Sequence, residues 1–139
     1  MKYILDSVYE YDFDLLGICC HEKDYRICWA LNNALNISLE KSSEDIEFIF
    51  HKKSKQNACF PLFIFESEKD HAIYHLIGNK SDINLLVPEK KHIDFFFMVK
   101  STEYLNISEI LAKIRSIKFV LTAHLVDVNQ LKSKEHLIF

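Results

Sequence analysis

Only two glycines and two prolines occur among the 139 residues of this chain. These residues supply most of the special backbone conformations that turns and long loops require. A chain so short of them must join its elements through short connections. Eleven Phe and six Tyr raise the aromatic share to 13%, and large aromatic side chains favour strands. Short turns between consecutive strands permit only antiparallel pairing, because parallel neighbours need a long crossover. With 139 residues and 16.4 kDa, the chain is one domain's worth, able to bury about two-thirds of its unfolded surface. Hydrophobic residues at 49% and charged residues at 27% argue against disorder, since there is ample apolar surface to offset chain entropy. Seventeen basic residues against 20 acidic ones leave a net charge of −3. That balance argues against a dedicated nucleic-acid binder, which carries excess positive charge.

The first residues carry no apolar run of leader length, because Asp6, Glu10, Asp12 and Asp14 interrupt it. No stretch approaches the roughly 18 apolar residues of a membrane span. The expected location is the cytoplasm, with no membrane partner. In that reducing compartment Cys19, Cys20, Cys28 and Cys59 are not expected to form disulfides. They make no Cys-x-x-Cys pair, and adjacent residues of Cys19-Cys20-His21-Glu22 point to opposite faces of a strand. They read as small core hydrophobes. No metal and no cofactor is expected.

Periodicity places short strands over 2–9 and 13–19, then a helix over 25–35 with Asp24 as its N-cap and Asn36 ending it in the left-handed conformation. Tyr25, Ile27, Cys28, Trp29, Ala30, Leu31, Ala34 and Leu35 give that helix a wide apolar surface, which predicts deep burial against a sheet. Arg26, Asn32 and Asn33 form its polar side. Strands follow over 45–51, 59–66 and 71–77, with Lys52 to Asn57 as a hairpin tip and Pro61 at a strand start. Glu68-Lys69-Asp70 and Gly78-Asn79-Lys80-Ser81 read as turns. The most apolar segment, 92–100, belongs at the centre of the sheet. Asn106 or Ser108 caps a second helix reaching about Ser116. Residues 118–127 fit both a helical and a strand period; β-branched Val120, Thr122 and Val126 favour strand. The tail, ending Leu137-Ile138-Phe139, reads as docked. The expected fold is a single α+β domain over 1–139: one twisted antiparallel sheet with two helices packed mainly on one face.

Residues 87–95, which run into that segment, read Val87-Pro88-Glu89-Lys90-Lys91-His92-Ile93-Asp94-Phe95. Pro88 fixes its own φ and holds Val87 extended. Asp94 sits among apolar residues, where an unpaired charge costs several kcal/mol, so it needs a cation, backbone N–H groups or water. Arg26 is a candidate partner, since its planar guanidinium can pair bidentately. Glu89 and Asp94 can close a turn and fix strand register; they can also form an acid pair in a pocket, for proton transfer or cation binding, or recognise a partner. The segment resembles the signature of the IPExxxVDY family, small proteins of Bacteroidetes. Pro88, Glu89 and Asp94 match it, while Val87, Ile93 and Phe95 replace the family's Ile, Val and Tyr. Asp12-Phe13, Leu16-Gly17-Ile18, Asp24-Tyr25-Arg26, Trp29 and Leu31-Asn32 are similar to the family's first quarter. Leu131-Lys132-Ser133-Lys134, Leu137 and Phe139 are similar to its end. The resemblance implies no particular activity.

Other constellations are weaker. His71 and His75 share a face, but in a strand four residues span about 13 Å, too far for one metal. Two glycines cannot build a phosphate loop, and no serine sits in a nucleophile elbow. Lys52-Lys53-x-Lys55 and Lys90-Lys91-His92 read as solvated turns. The leading expectation is a non-catalytic cytosolic protein-interaction or self-associating domain. Its partner is a second copy in a twofold dimer with an apolar interface built on the sheet, or an unknown protein. The motive is the lack of catalytic motifs together with more apolar strands than two helices can cover; a second copy, a partner or the C-terminal tail would close the other face. The alternative is a small-ligand-binding protein or enzyme using Glu89, Asp94 and Arg26.

Overall fold

A computed structural model describes residues 13–43, 46–51, 56–81 and 84–137. Its strands are β1 (Asp14–Cys19), β2 (Glu40–Lys41), β3 (Ile46–His51), β4 (Gln56–Phe60), β5 (Leu62–Ser67), β6 (Ala72–Gly78), β7 (Phe95–Ser101) and β8 (Thr122–Val126). Helix α1 covers Asp24–Leu35 and α2 covers Ile107–Arg115. Six strands form one sheet in the order β2-β5-β6-β7-β1-β8, and β3 pairs with β4 separately. Every pair is antiparallel. The α+β class expected from the sequence is what the structure has. The apolar run that was expected at the centre is β7, inside the sheet between β6 and β1.

Alternation along the strands sorts the core into two layers. Leu16, Ile18, Phe63, Leu76, Phe97 and Val99 meet Ile27, Cys28 and Leu31 of α1 and Leu111 and Ile114 of α2. Rings on this face stack across three strands, Phe65 on Tyr74 at 6.3 Å and Tyr74 on Phe97 at 5.7 Å. The opposite face presents Leu15, Ile77, Phe96, Met98 and Val126. It is covered by Leu86, Val87 and Ile93 from the connection into β7, and by Val128, Leu131 and Leu137 from the C-terminal segment. Each such fully buried side chain contributes roughly 1.5–3 kcal/mol. The second layer of the core is therefore built by the chain itself.

Several local expectations need correction. Lys23, not Asp24, is the N-cap of α1; Asp24 begins the helix and its carboxylate accepts from the Tyr25 N–H at 2.7 Å. Asn36 does end the helix, at φ 56°. Tyr25 and Trp29 are 65% and 60% exposed, so the outer part of the apolar surface of α1 is not sunk against the sheet. Residues 92–94 precede β7, because the Asp94 backbone is taken up by other segments. The strand expected over 118–127 is shortened to Thr122–Val126 by a turn in which the Val120 N–H reaches the Ile117 carbonyl at 3.1 Å. Pro61 separates β4 from β5, and Asn57 lies within β4 rather than in the turn. His71 closes the β5–β6 turn at φ 51° and lies 3.7 Å from Glu103, while His75 is buried in β6. Cys20 and Cys28 are core residues, as expected, but Cys59 is exposed. The strand expected over 2–9, most of the 52–57 turn, and Ile138 and Phe139 lie outside the described residues.

Candidate functional site

The segment carrying Pro88, Glu89 and Asp94 crosses the second face of the sheet between β6 and β7. Gly17 makes this crossing possible. A Cβ at that position would lie 2.5 Å from Cδ1 of the fully buried Ile93. The glycine serves close approach here, not backbone freedom.

Asn79 organises the loop from beneath. It is fully buried, and its amide donates to the carbonyls of Lys90 (3.1 Å) and Ile93 (2.8 Å). Its side-chain oxygen accepts from the Val87 N–H at 2.8 Å. Its backbone N–H donates to Asp94 O at 3.0 Å, and its carbonyl accepts from the Leu86 N–H at 2.8 Å. One residue thus replaces the ladder that this irregular backbone lacks, as buried peptide groups demand. Pro88 opens a short 3-10 turn, Pro88–Lys90, where its missing N–H costs nothing.

Asp94 is braced on both oxygens. Oδ2 accepts from the Cys20 N–H at 2.9 Å and Oδ1 from Lys80 Nζ at 2.7 Å. Its backbone N–H donates to Ile18 O at 3.0 Å. The carboxylate is 16% exposed and Lys80 48%, so the pair lies at the rim of the protein rather than in a dry core. A cavity of about 410 Å³ opens beside it, lined among others by Cys20, Asp24, Pro61, Lys80 and Phe95.

Glu89 lies elsewhere. Its carboxylate accepts from the Ser133 N–H at 2.7 Å and the Ser133 hydroxyl at 3.0 Å. Partial burial acts to raise this carboxyl, but the hydrogen bonds from Ser133 and neighbouring backbone outweigh it and hold it below its ordinary value. The bond ties the loop to the C-terminal segment, where His136 Nδ1 also meets Leu86 O at 2.7 Å.

Arg26 is not joined to Asp94. Its guanidinium lies over Trp29 at 5.6 Å and over Phe119 at 5.5 Å, on the helical side of the sheet. It lines a different groove, to which neither Glu89 nor Asp94 contributes. The three candidate residues therefore do not converge. Asp94 pairs with Lys80 because the β6–β7 connection returns beside the start of β7. Arg26 projects from the outer side of α1.

Sequence reasoning missed Asn79, Lys80, Gly17 and Ser133. Gly17 carried a usable signal, since a lone glycine inside a strand marks close approach by another segment. Asn79 carried none: an asparagine after a glycine reads as turn chemistry, and its burial depends on contacts with residues 86–94.

Beneath the same loop, the His92 and His124 rings stack at 6.0 Å, and Cys19 Sγ donates to the His92 carbonyl at 3.1 Å. Burial, then the positive field of His92, Lys90 and Arg115, pushes His124 below the ordinary imidazole value. Among the described residues no group of three or more His, Cys, Asp or Glu is arranged to hold a metal ion. No described helix is long and apolar enough to cross a membrane. No family model and no curated protein matches the chain.

Proposed function

We propose that this chain is a non-catalytic cytosolic interaction domain that pairs with a second copy of itself through the β8 edge of its sheet. The observation that carries this reading is the contrast between the two sheet edges. One edge, β2, is two residues long and charged, Glu40–Lys41. The other, β8, is the five-residue Thr122–Val126, with no charge and no proline. Proteins blunt free edges with short strands, charges or proline, and β8 uses none of these within the strand. Leu121 and Leu125 at this edge are 60% and 54% exposed. Among the described residues no strand pairs with the outer side of β8.

The motif residues support the non-catalytic half of the reading. Asp94 and Glu89 spend their oxygens on Cys20, Lys80 and Ser133, so they work as braces of a loop. The spacing of Pro88, Glu89 and Asp94 supports the proposed membership of the IPExxxVDY family.

A twofold axis at His124 sets Ala123 of one copy opposite Leu125 of the other and continues the ladder across both sheets. Sedimentation velocity at micromolar concentration tests this. A species of twice 16.4 kDa is expected for the wild type and a monomer for Leu125→Lys. A wild type that runs as a clean monomer overturns the reading.

A further inference from the structure

The groove between α1 and the connection from α2 to β8 has no place in the edge-pairing reading. We propose that it binds a small apolar carboxylate, anchored by Arg26. The groove holds about 570 Å³, within the range of roughly 300–1,000 Å³ that small-molecule sites occupy. Its apolar walls are Trp29, Ala30, Ala34, Ile117 and Phe119. The two alanines give it depth, and the two rings give it flat faces suited to an aromatic or branched aliphatic body.

Charge selects the other end of the ligand. Arg26 and Lys118 face the groove against one acid, Glu22. Among the described residues the Arg26 guanidinium forms no ion pair and no hydrogen bond; it is held by its contacts with Trp29 and Phe119. Those ring contacts fix the guanidinium while leaving its donors unspent. A guanidinium carries five N–H donors in a rigid fork that fits a planar carboxylate bidentately. A pre-positioned fork beside apolar walls recognises a carboxylate attached to an apolar body.

The chain's single tryptophan is Trp29 itself, so its fluorescence reports directly on the groove. The test is a titration of the intact wild-type chain with 3-phenylpropionate and, separately, with neutral 3-phenylpropionamide. A saturable change in Trp29 emission with the acid is expected, with affinity at least about tenfold weaker for the amide. Arg26→Met keeps the apolar stem and removes the fork; it is expected to bind the acid no better than wild type binds the amide. No saturable change up to about 10 mM acid, weaker than the millimolar limit of a useful site, overturns the proposal. Equal affinity for acid and amide also overturns it, and that comparison needs no variant to fold. Tighter binding of phenyl phosphate than of the carboxylate overturns the assigned ligand class. None of these outcomes depends on whether the chain self-associates.

Discussion

At the scale of single residues, the loop that carries the motif rests on Asn79 more than on either of its acids. Asn79 makes three side-chain hydrogen bonds in a fully buried position. Asn79→Ala strands the Val87 N–H and two carbonyls away from water, and a cost of about 3 kcal/mol is expected. Asp94→Asn keeps an acceptor for Cys20 N–H but loses the charge facing half-exposed Lys80, so about 1–2 kcal/mol is expected. Chemical denaturation at pH 7 measures both, and an Asn79→Ala chain as stable as wild type would remove the loop's proposed organiser. His75 gives a separate test in pH. Burial first, then Lys100, lowers it from 6.5 to about 4, so it stays neutral in the folded chain. The unfolded chain takes up the proton first as pH falls, so the stability of the neutral folded form is complete above about 6.5 and lost progressively toward about 4. Denaturation midpoints at pH 7 and pH 4.5 should therefore fall less in His75→Gln than in wild type, whatever the variant costs at pH 7. An identical pH slope in the two proteins would show that His75 does not drive the loss.

At the scale of elements, the packing of the loop on β1 is decided by Gly17. Gly17→Ala drives a methyl group to within 2.5 Å of Ile93 Cδ1, an overlap expected to cost about 1–3 kcal/mol. Ile93→Val removes that Cδ1 atom, so the double variant should be more stable than the sum of the two single losses predicts. Strict additivity would mean that the two sites do not touch. The elements themselves were legible wherever local pattern coincided with burial. The unbroken apolar run gave β7, and Asn106 and Asn36 marked their helix ends as propensity says they should. Legibility failed where a distant segment took over the backbone. The strand expected from 92 begins only at Phe95, because the Asp94 N–H belongs to Ile18 and its carbonyl to Asn79. The outer side of α1 misled for another reason: Tyr25, Trp29 and Arg26 make an aromatic and cationic surface, and period alone cannot tell a buried ring from one lining an open groove.

At the scale of the whole molecule, strand order was not readable, because β1 inserts between β7 and β8, more than 70 residues away in sequence. With residues 84–94 and 128–137 covering the second face, the apolar excess that argued for a partner is largely answered from within, and the β8 edge is what remains. Self-association through that edge would depend on pH. Asp94 N–H takes the Ile18 carbonyl on the β7 side, so the Ala123 groups opposite Ile18 face outward, where Arg115 Nε already donates to the Ala123 carbonyl at 2.8 Å. The second lone pair of that carbonyl is open to another strand. In the twofold arrangement the two His124 side chains lie directly opposite each other, about 5 Å apart at Cβ. His124 is held below the ordinary imidazole value by burial and by His92, Lys90 and Arg115, so at pH 7.5 both copies are neutral and can approach. As pH falls through that lowered value, two imidazolium ions face each other amid three further cationic groups, and association should weaken. Sedimentation over a series of falling pH from 7.5 is expected to show the dimer dissociation constant rising by about tenfold or more for wild type and staying level for His124→Gln. A wild-type dimer equally tight throughout the series, down to the pH at which the fold itself is lost, would rule out His124 at the axis and move the interface off the centre of β8.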